Sequence, residues 1–187
     1  MPSGQLQVPA LPILIPLGTV LMVTAVVVLR RRRALAPGRL VAVWAAGWWA
    51  VAVLGATLLP LDIAWGPEAG PPELFRFLLV PFLDMRVDDF ILNIIMLLPL
   101  AAALRVVAGV RDRGRVVLTG FLISLSIETV QALLLVFLHG NRWADVNDLM
   151  ANTLGAWLGW LIIQGPAAAR RLDRWALTRQ PAPLTRS

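Results

Sequence analysis

Ser126-Ile127-Glu128-Thr129-Val130-Gln131 is followed, after an apolar run, by Gly140-Asn141-Arg142-Trp143-Ala144-Asp145-Val146-Asn147-Asp148 and then by Asn152-Thr153-Leu154-Gly155. Three carboxylates, Glu128, Asp145 and Asp148, thus stand with Gln131, Arg142 and Asn152 inside or beside two strongly apolar segments. Helices this apolar sit in lipid, where a charged side chain near the bilayer centre costs roughly 2.5–3.5 kcal/mol on insertion scales. Polar groups retained there either join helices or build a site.

The rest of the chain agrees with a lipid setting. Of its 187 residues, 58% are hydrophobic, against about 45–50% in a soluble domain. Mean hydropathy is +0.75. The apolar residues gather into runs near the roughly 20 residues that cross a bilayer. The expected fold is all-α, a polytopic membrane helix bundle of about five transmembrane helices, with residues 1–187 as a single membrane domain. Cysteine and lysine are both absent. That excludes disulfides, thiolate catalysis, cysteine metal sites, lysine nucleophiles and P-loop chemistry. With His139 as the only histidine, one chain cannot build a multi-histidine metal site.

The predicted spans are residues 12–29, 40–59, 89–108, 116–138 and 147–164. Between the second and third lies a long loop, Pro60 to Val87, with an apolar stretch from Leu74 to Leu83 that either lies on the outer leaflet or dips into it, or is a plain amphipathic connector. The Arg- and Pro-rich tail, 165–187, is expected to be flexible. Arginine sets the orientation. With Arg30–Arg33 in the cytoplasm, 14 arginines, Arg179 and Arg186 among them, fall on that side. Three, Arg76, Arg86 and Arg142, fall outside. The N-terminus is then outside and the C-terminus cytoplasmic. The first span, lacking a basic region before it, reads as a retained helix. The net charge of +6 belongs to this asymmetry, and no nucleic-acid partner is expected.

Helical spacing brings the polar residues together. Asp89 and Asn93 are four apart on the third span; Glu128 and Gln131 are three apart on the fourth. Asp145, Asp148 and Asn152 step by three and four into the fifth. Counted along the helix rise, all lie at similar height in the outer half of the membrane. An outward-opening polar cavity is expected, with Arg142 at its lip. The competing reading is glue. Asn and Gln hydrogen-bond across membrane helices at roughly 0.6–2 kcal/mol, and Gly155 and Gly159 form a Gly-x-x-x-Gly pair for close approach. Asp148 could cap the fifth helix, with Asp145 favouring its positive end. Pro99 should kink the third span. His139 reads as a surface loop residue, and Trp48 and Trp49 as mid-span packing.

Residues 75–160 resemble the VanZ-like family of small bacterial membrane proteins. The family carries a serine before Glu-x-x-Gln, then an arginine, an aspartate pair and Asn-Thr-Leu-Gly. Here these are Ser126, Glu128, Gln131, Arg142, Asp145, Asp148 and Asn152-Thr153-Leu154-Gly155. Val80-Pro81-Phe82 resembles its loop motif, and Asn93 through Leu100 its Asn-apolar-Pro-Leu motif. Leu78 stands where the family often has Asn, and Ala101 where it often has Gly. The resemblance implies a multi-pass protein of the bacterial cytoplasmic membrane and, for some members, a link to teicoplanin-type glycopeptide resistance.

Three functions fit. In the first, the cavity binds a lipid-linked cell-wall precursor or a lipoglycopeptide at the cell envelope, Arg142 pairing with a phosphate or carboxylate. In the second, an enzyme modifies such a lipid, with Glu128 as catalytic acid or base. No cofactor is required, although Asp145 and Asp148 could hold a divalent cation through oxygen. In the third, the chain is a structural membrane subunit joined through the glycine pair. The sequence leaves the oligomeric state open.

Overall fold

The computed structural model describes residues 3–177. Seven helices and four short strands follow in order: β1 (Gly4–Val8), α1 (Leu11–Arg31), α2 (Pro37–Leu58), β2 (Leu61–Trp65), β3 (Phe77–Leu78), α3 (Val87–Leu97), α4 (Leu100–Ala108), α5 (Arg113–Leu138), β4 (Ala144–Asp145), α6 (Val146–Ile162) and α7 (Pro166–Trp175). Among the described residues, four helices are long and apolar enough to cross a membrane: α1, α2, α3 with α4, and α5. The fifth expected span, α6, has 17 residues, at the lower end of the length that spans a bilayer. Their outward faces carry Val20 and Val23 on α1, Leu92 and Ile95 on α3, and Leu133 and Phe137 on α5. A soluble bundle would bury that stripe; lipid accepts it.

α6 is the central helix, packed between α3 and α5. Small residues make this possible. A Cβ at Gly155 would meet the Ile94 carbonyl, and one at Gly159 the Leu98 carbonyl. The glycine pair is therefore occupied within the chain, where it lets α6 touch the backbone of the third span. Against α5, Gly120 faces Ala156. The shared core gathers Val53, Leu97, Leu100, Ile127 and Ala156 from five helices. Ala101 of α4 is fully buried.

Pro99, which has no N–H to continue the ladder, interrupts the third span between α3 and α4, while Leu98 and Pro99 themselves keep helical backbone angles, so the interruption falls at the expected residue. The Trp49 indole donates to the Met96 carbonyl just before the break, at 2.8 Å, while Trp48 packs its ring over Gly18 of α1. α2 packs on α4 and meets the end of α3 at Leu97, but has little contact with the first turns of α3.

The bundle has two chemically different ends. At one, β1 pairs antiparallel with β2, so that Gly4 faces Trp65 and Val8 faces Leu61. β3 pairs parallel with β4 there. Neither sheet is foreseen in the sequence. His139 stands half-exposed in the loop after α5, as expected, and staples this end: its ring nitrogens lie 3.1 Å from the Ala64 carbonyl and 2.9 Å from that of Gly70. The stretch from Leu74 to Leu83 forms a 3-10 turn, β3 and a further turn, with Leu74, Phe75, Leu79, Val80, Phe82 and Leu83 exposed. Of the described arginines, Arg76, Arg86 and Arg142 lie at this end and the others at the opposite one. Arg179 and Arg186 fall outside the described residues.

At the arginine-rich end, the expected flexible tail is a helix over Pro166–Trp175. Asp173 of α7 accepts from buried Arg105 at 2.8 and 3.1 Å, and Arg111 lies 3.2 Å away. The Arg105 side chain is buried in this tie and does not reach out to solvent. The Arg105 hydrogen bonds hold the Asp173 carboxyl below its ordinary value of 3.8, with the charges of Arg105 and Arg111 adding to the effect. A depressed carboxyl stabilises the docked helix at pH values above its ordinary one, and that contribution is lost as the pH falls through its lowered value. Asp173→Asn should reproduce the loss at neutral pH. In this cysteine-free chain, an Ala176→Cys reporter, buried in the parent, should then react with maleimide severalfold faster.

Candidate functional site

At the arginine-poor end, the bundle holds an open cavity of about 870 Å³. α3 contributes Asp89 and Asn93, α5 contributes Glu128 and Gln131, and α6 with its preceding loop contributes Arg142, Asp145, Asp148 and Asn152. All eight residues singled out from sequence line this one space. Met96 and Ile127, from the core, form part of its apolar wall. Leu92 and Ile95 line it as well and are exposed on the bundle surface. Its rim on α3 is therefore continuous with the lipid-facing belt, and Ala56 of α2 stands on the wall as well.

The polar residues hold one another in place. The α6 N-cap is Asp145: its Oδ1 accepts the Asn147 N–H at 2.7 Å and the Asn147 amide at 2.9 Å. This corrects the expectation that Asp148 caps the helix. Asp148 turns across to α3, where Asn93 donates to its Oδ1 at 2.7 Å. Glu128 accepts the Asp145 N–H at 2.8 Å, joining α5 to the start of α6. On the same face of α5, Gln131 donates to the Thr57 carbonyl of α2 at 2.8 Å. Asn152 donates to Ser124 at 3.0 Å. The glue reading is thus satisfied in part: most of these groups do bridge helices.

Three polar atoms are left over. Gln131 Oε1, Asn152 Oδ1 and Arg142 Nε are buried and make no hydrogen bond. An unmet buried group costs about 1–3 kcal/mol, more than a purely structural network should carry. Arg142 donates to the Leu59 carbonyl and has no ion pair among the described residues. Among them, too, no three His, Asp or Glu side chains gather in a group that could hold a metal ion.

Several contributors are missing from the sequence reading. Asn147, 1% exposed, accepts the Phe82 N–H at 2.8 Å and so ties the loop over the cavity to α6. Asp62 accepts from Asn141 at 2.8 Å, and Arg76 donates to the Asn141 carbonyl at 2.8 Å, fixing the loop that carries Arg142. Trp143 packs edge-on against Phe75 at 5.8 Å, both on the cavity wall. For Asn147 a signal was available: an Asp-x-Asn start to an apolar helix marks a capped entry. For Asp62 and Thr57 none was, because their partners lie 74 or more residues away.

Comparison with protein families matches residues 46–165 to the family described as VanZ/LLP1. The match runs from within α2 past the end of α6 and contains all of the cavity's lining residues, from Ala56 to Asn152, while α1 and α7 lie outside it. No curated protein and no solved structure matches the chain.

Proposed function

The chain belongs to the VanZ/LLP1 family, and from that premise we propose that this multi-pass membrane protein binds the head of a lipid-tailed ligand in its cavity. The ligand is a lipid-linked cell-wall precursor or a lipoglycopeptide, and the cavity faces the outer surface of the cytoplasmic membrane. One observation carries this reading. Polar residues from three separate segments converge on a single space whose rim opens onto lipid-facing side chains of α3. A soluble ligand needs no such rim. An amphiphile does, because its chain stays in lipid while its head enters the polar pocket. Arginine asymmetry supports the outward direction. In cells, capture of a lipoglycopeptide in this way contributes to teicoplanin-type tolerance.

The test is equilibrium binding of a fluorescent lipoglycopeptide and of a lipid-linked precursor to the purified full chain in detergent. Arg142→Gln and Glu128→Gln should each weaken binding about tenfold or more, the scale of one charge-assisted hydrogen bond. Unchanged affinity in both variants, at unchanged elution, overturns the proposal. Turnover of the precursor, dependent on Mg²⁺ and lost in Glu128→Gln, would replace binding by catalysis.

A further inference from the structure

The polar groups of the cavity are not balanced, and the imbalance has a direction. Arg86, one of its two arginines, pairs with Asp88 at 3.4 Å and Asp89 at 3.1 Å. Arg142, the other, has no carboxylate partner among the described residues, and its Nε is unmatched. The wall therefore offers a cation that lacks an anion. Opposite in character, Glu128, Asp145 and Asp148 have no cationic partner among the described residues. Each accepts only from neutral groups: the Asp145 N–H, the Asn147 amides and the Asn93 amide. In the same wall Gln131, 7% exposed, and Asn152, 1% exposed, each hold an oxygen with no donor. Gln131 cannot relieve this by turning its amide, since its nitrogen is needed by the Thr57 carbonyl.

We propose that the cavity selects an amphiphile whose head carries both an anion and a primary ammonium group. The anion pairs with Arg142. The ammonium group supplies the N–H donors that the carboxylates and amide oxygens lack. A quaternary ammonium brings the same charge without N–H groups and leaves those acceptors unmet. A purely anionic head satisfies Arg142 and brings no ammonium group to the acids. The acyl chains leave over Leu92 and Ile95, between α2 and α3. This inference rests on the binding reading above and adds the chemistry of the head.

Native mass spectrometry of the full chain, titrated with lipids of matched dioleoyl chains, tests it. Phosphatidylethanolamine should bind about tenfold or more tightly than phosphatidylcholine or phosphatidylglycerol. Glu128→Gln and, independently, Asp148→Asn should bring phosphatidylethanolamine down to the phosphatidylglycerol level without weakening phosphatidylglycerol. Arg142→Gln should weaken all three lipids. Glycerophosphoethanolamine, the same head without chains, should fail to displace the lipid at equal concentration; displacement by it overturns the amphiphile as source. Equal binding of the three lipids to the parent chain overturns the head assignment and leaves the binding reading standing. Binding of none overturns both.

Discussion

Gly159→Leu is expected to prevent the bundle from assembling, with purified yield and thermal stability both collapsing. α6 approaches the third span so closely that a Cβ at Gly159 would fall on the Leu98 carbonyl, and one at Gly155 on that of Ile94. These obstacles are backbone, which cannot rotate away like a side chain. The Leu98 carbonyl also lies at the Pro99 break, where the chain passes from α3 to α4 and a shift would misplace both. Overpacking a core costs about 1–3 kcal/mol, occasionally more; a leucine driven into main chain belongs at or above the top of that range. Gly155→Ala should be damaging for the same reason. Gly165→Ala is the control, because a Cβ there meets nothing within 4 Å. Comparable unfolding temperatures in detergent for Gly159→Leu and Gly165→Ala would contradict this packing. If the glycines served an intermolecular contact instead, Gly159→Leu would leave a stable monomer.

That case shows why the helices were legible and their arrangement was not. Long apolar runs bounded by arginine announce spans, since lipid imposes length and hydropathy on each independently. The glycine pair likewise announces close approach. What it approaches is a three-dimensional fact, and here the partner is the backbone of the third span at Ile94 and Leu98, 61 residues earlier in each case. α6 itself meets the length requirement only marginally with its 17 residues. The sheets were invisible for a related reason. β1 and β2 are joined by register across more than 50 residues, and β3 with β4 amounts to two residue pairs. Neither leaves a pattern long enough to read.

The site was more legible than the fold around it, because polar residues in apolar helices are costly and therefore few. Helical periodicity then suffices to group them, and Asp89, Asn93, Glu128, Gln131, Arg142, Asp145, Asp148 and Asn152 share one cavity. Roles within the group were less readable. Asp145 and Asp148 are three apart at the start of one helix and either could cap it. The choice went to Asp145 because Asn93, on another helix, stood within reach of Asp148. Only tertiary contact separates the two.

Asn147→Leu should release the loop over the cavity, destabilising the chain by about 2–4 kcal/mol and weakening ligand capture with it. Leucine nearly matches asparagine in size, so packing alone would tolerate the change. Hydrogen bonding would not. The Asn147 side chain donates to Asp145 and accepts the Phe82 N–H; leucine removes one bond outright and strands a donor, at about 1 and 1–3 kcal/mol respectively. Phe82 sits at φ +64°, a left-handed conformation that a bulky side chain occupies at a cost of about 1–3 kcal/mol. The bond from its N–H offsets that strain. Without it the turn at Phe82 relaxes, and Leu78, Asp84 and Arg86, which follow or precede it on the cavity wall, lose their positions. An Asp84→Cys reporter should then change its maleimide reactivity severalfold relative to the same reporter in the parent. Phe82→Gly should recover part of the lost stability, since glycine adopts that φ freely and the Phe82 ring is largely exposed. An unchanged unfolding temperature for Asn147→Leu, with unchanged labelling at position 84, would mean that the loop is held by something other than this bond.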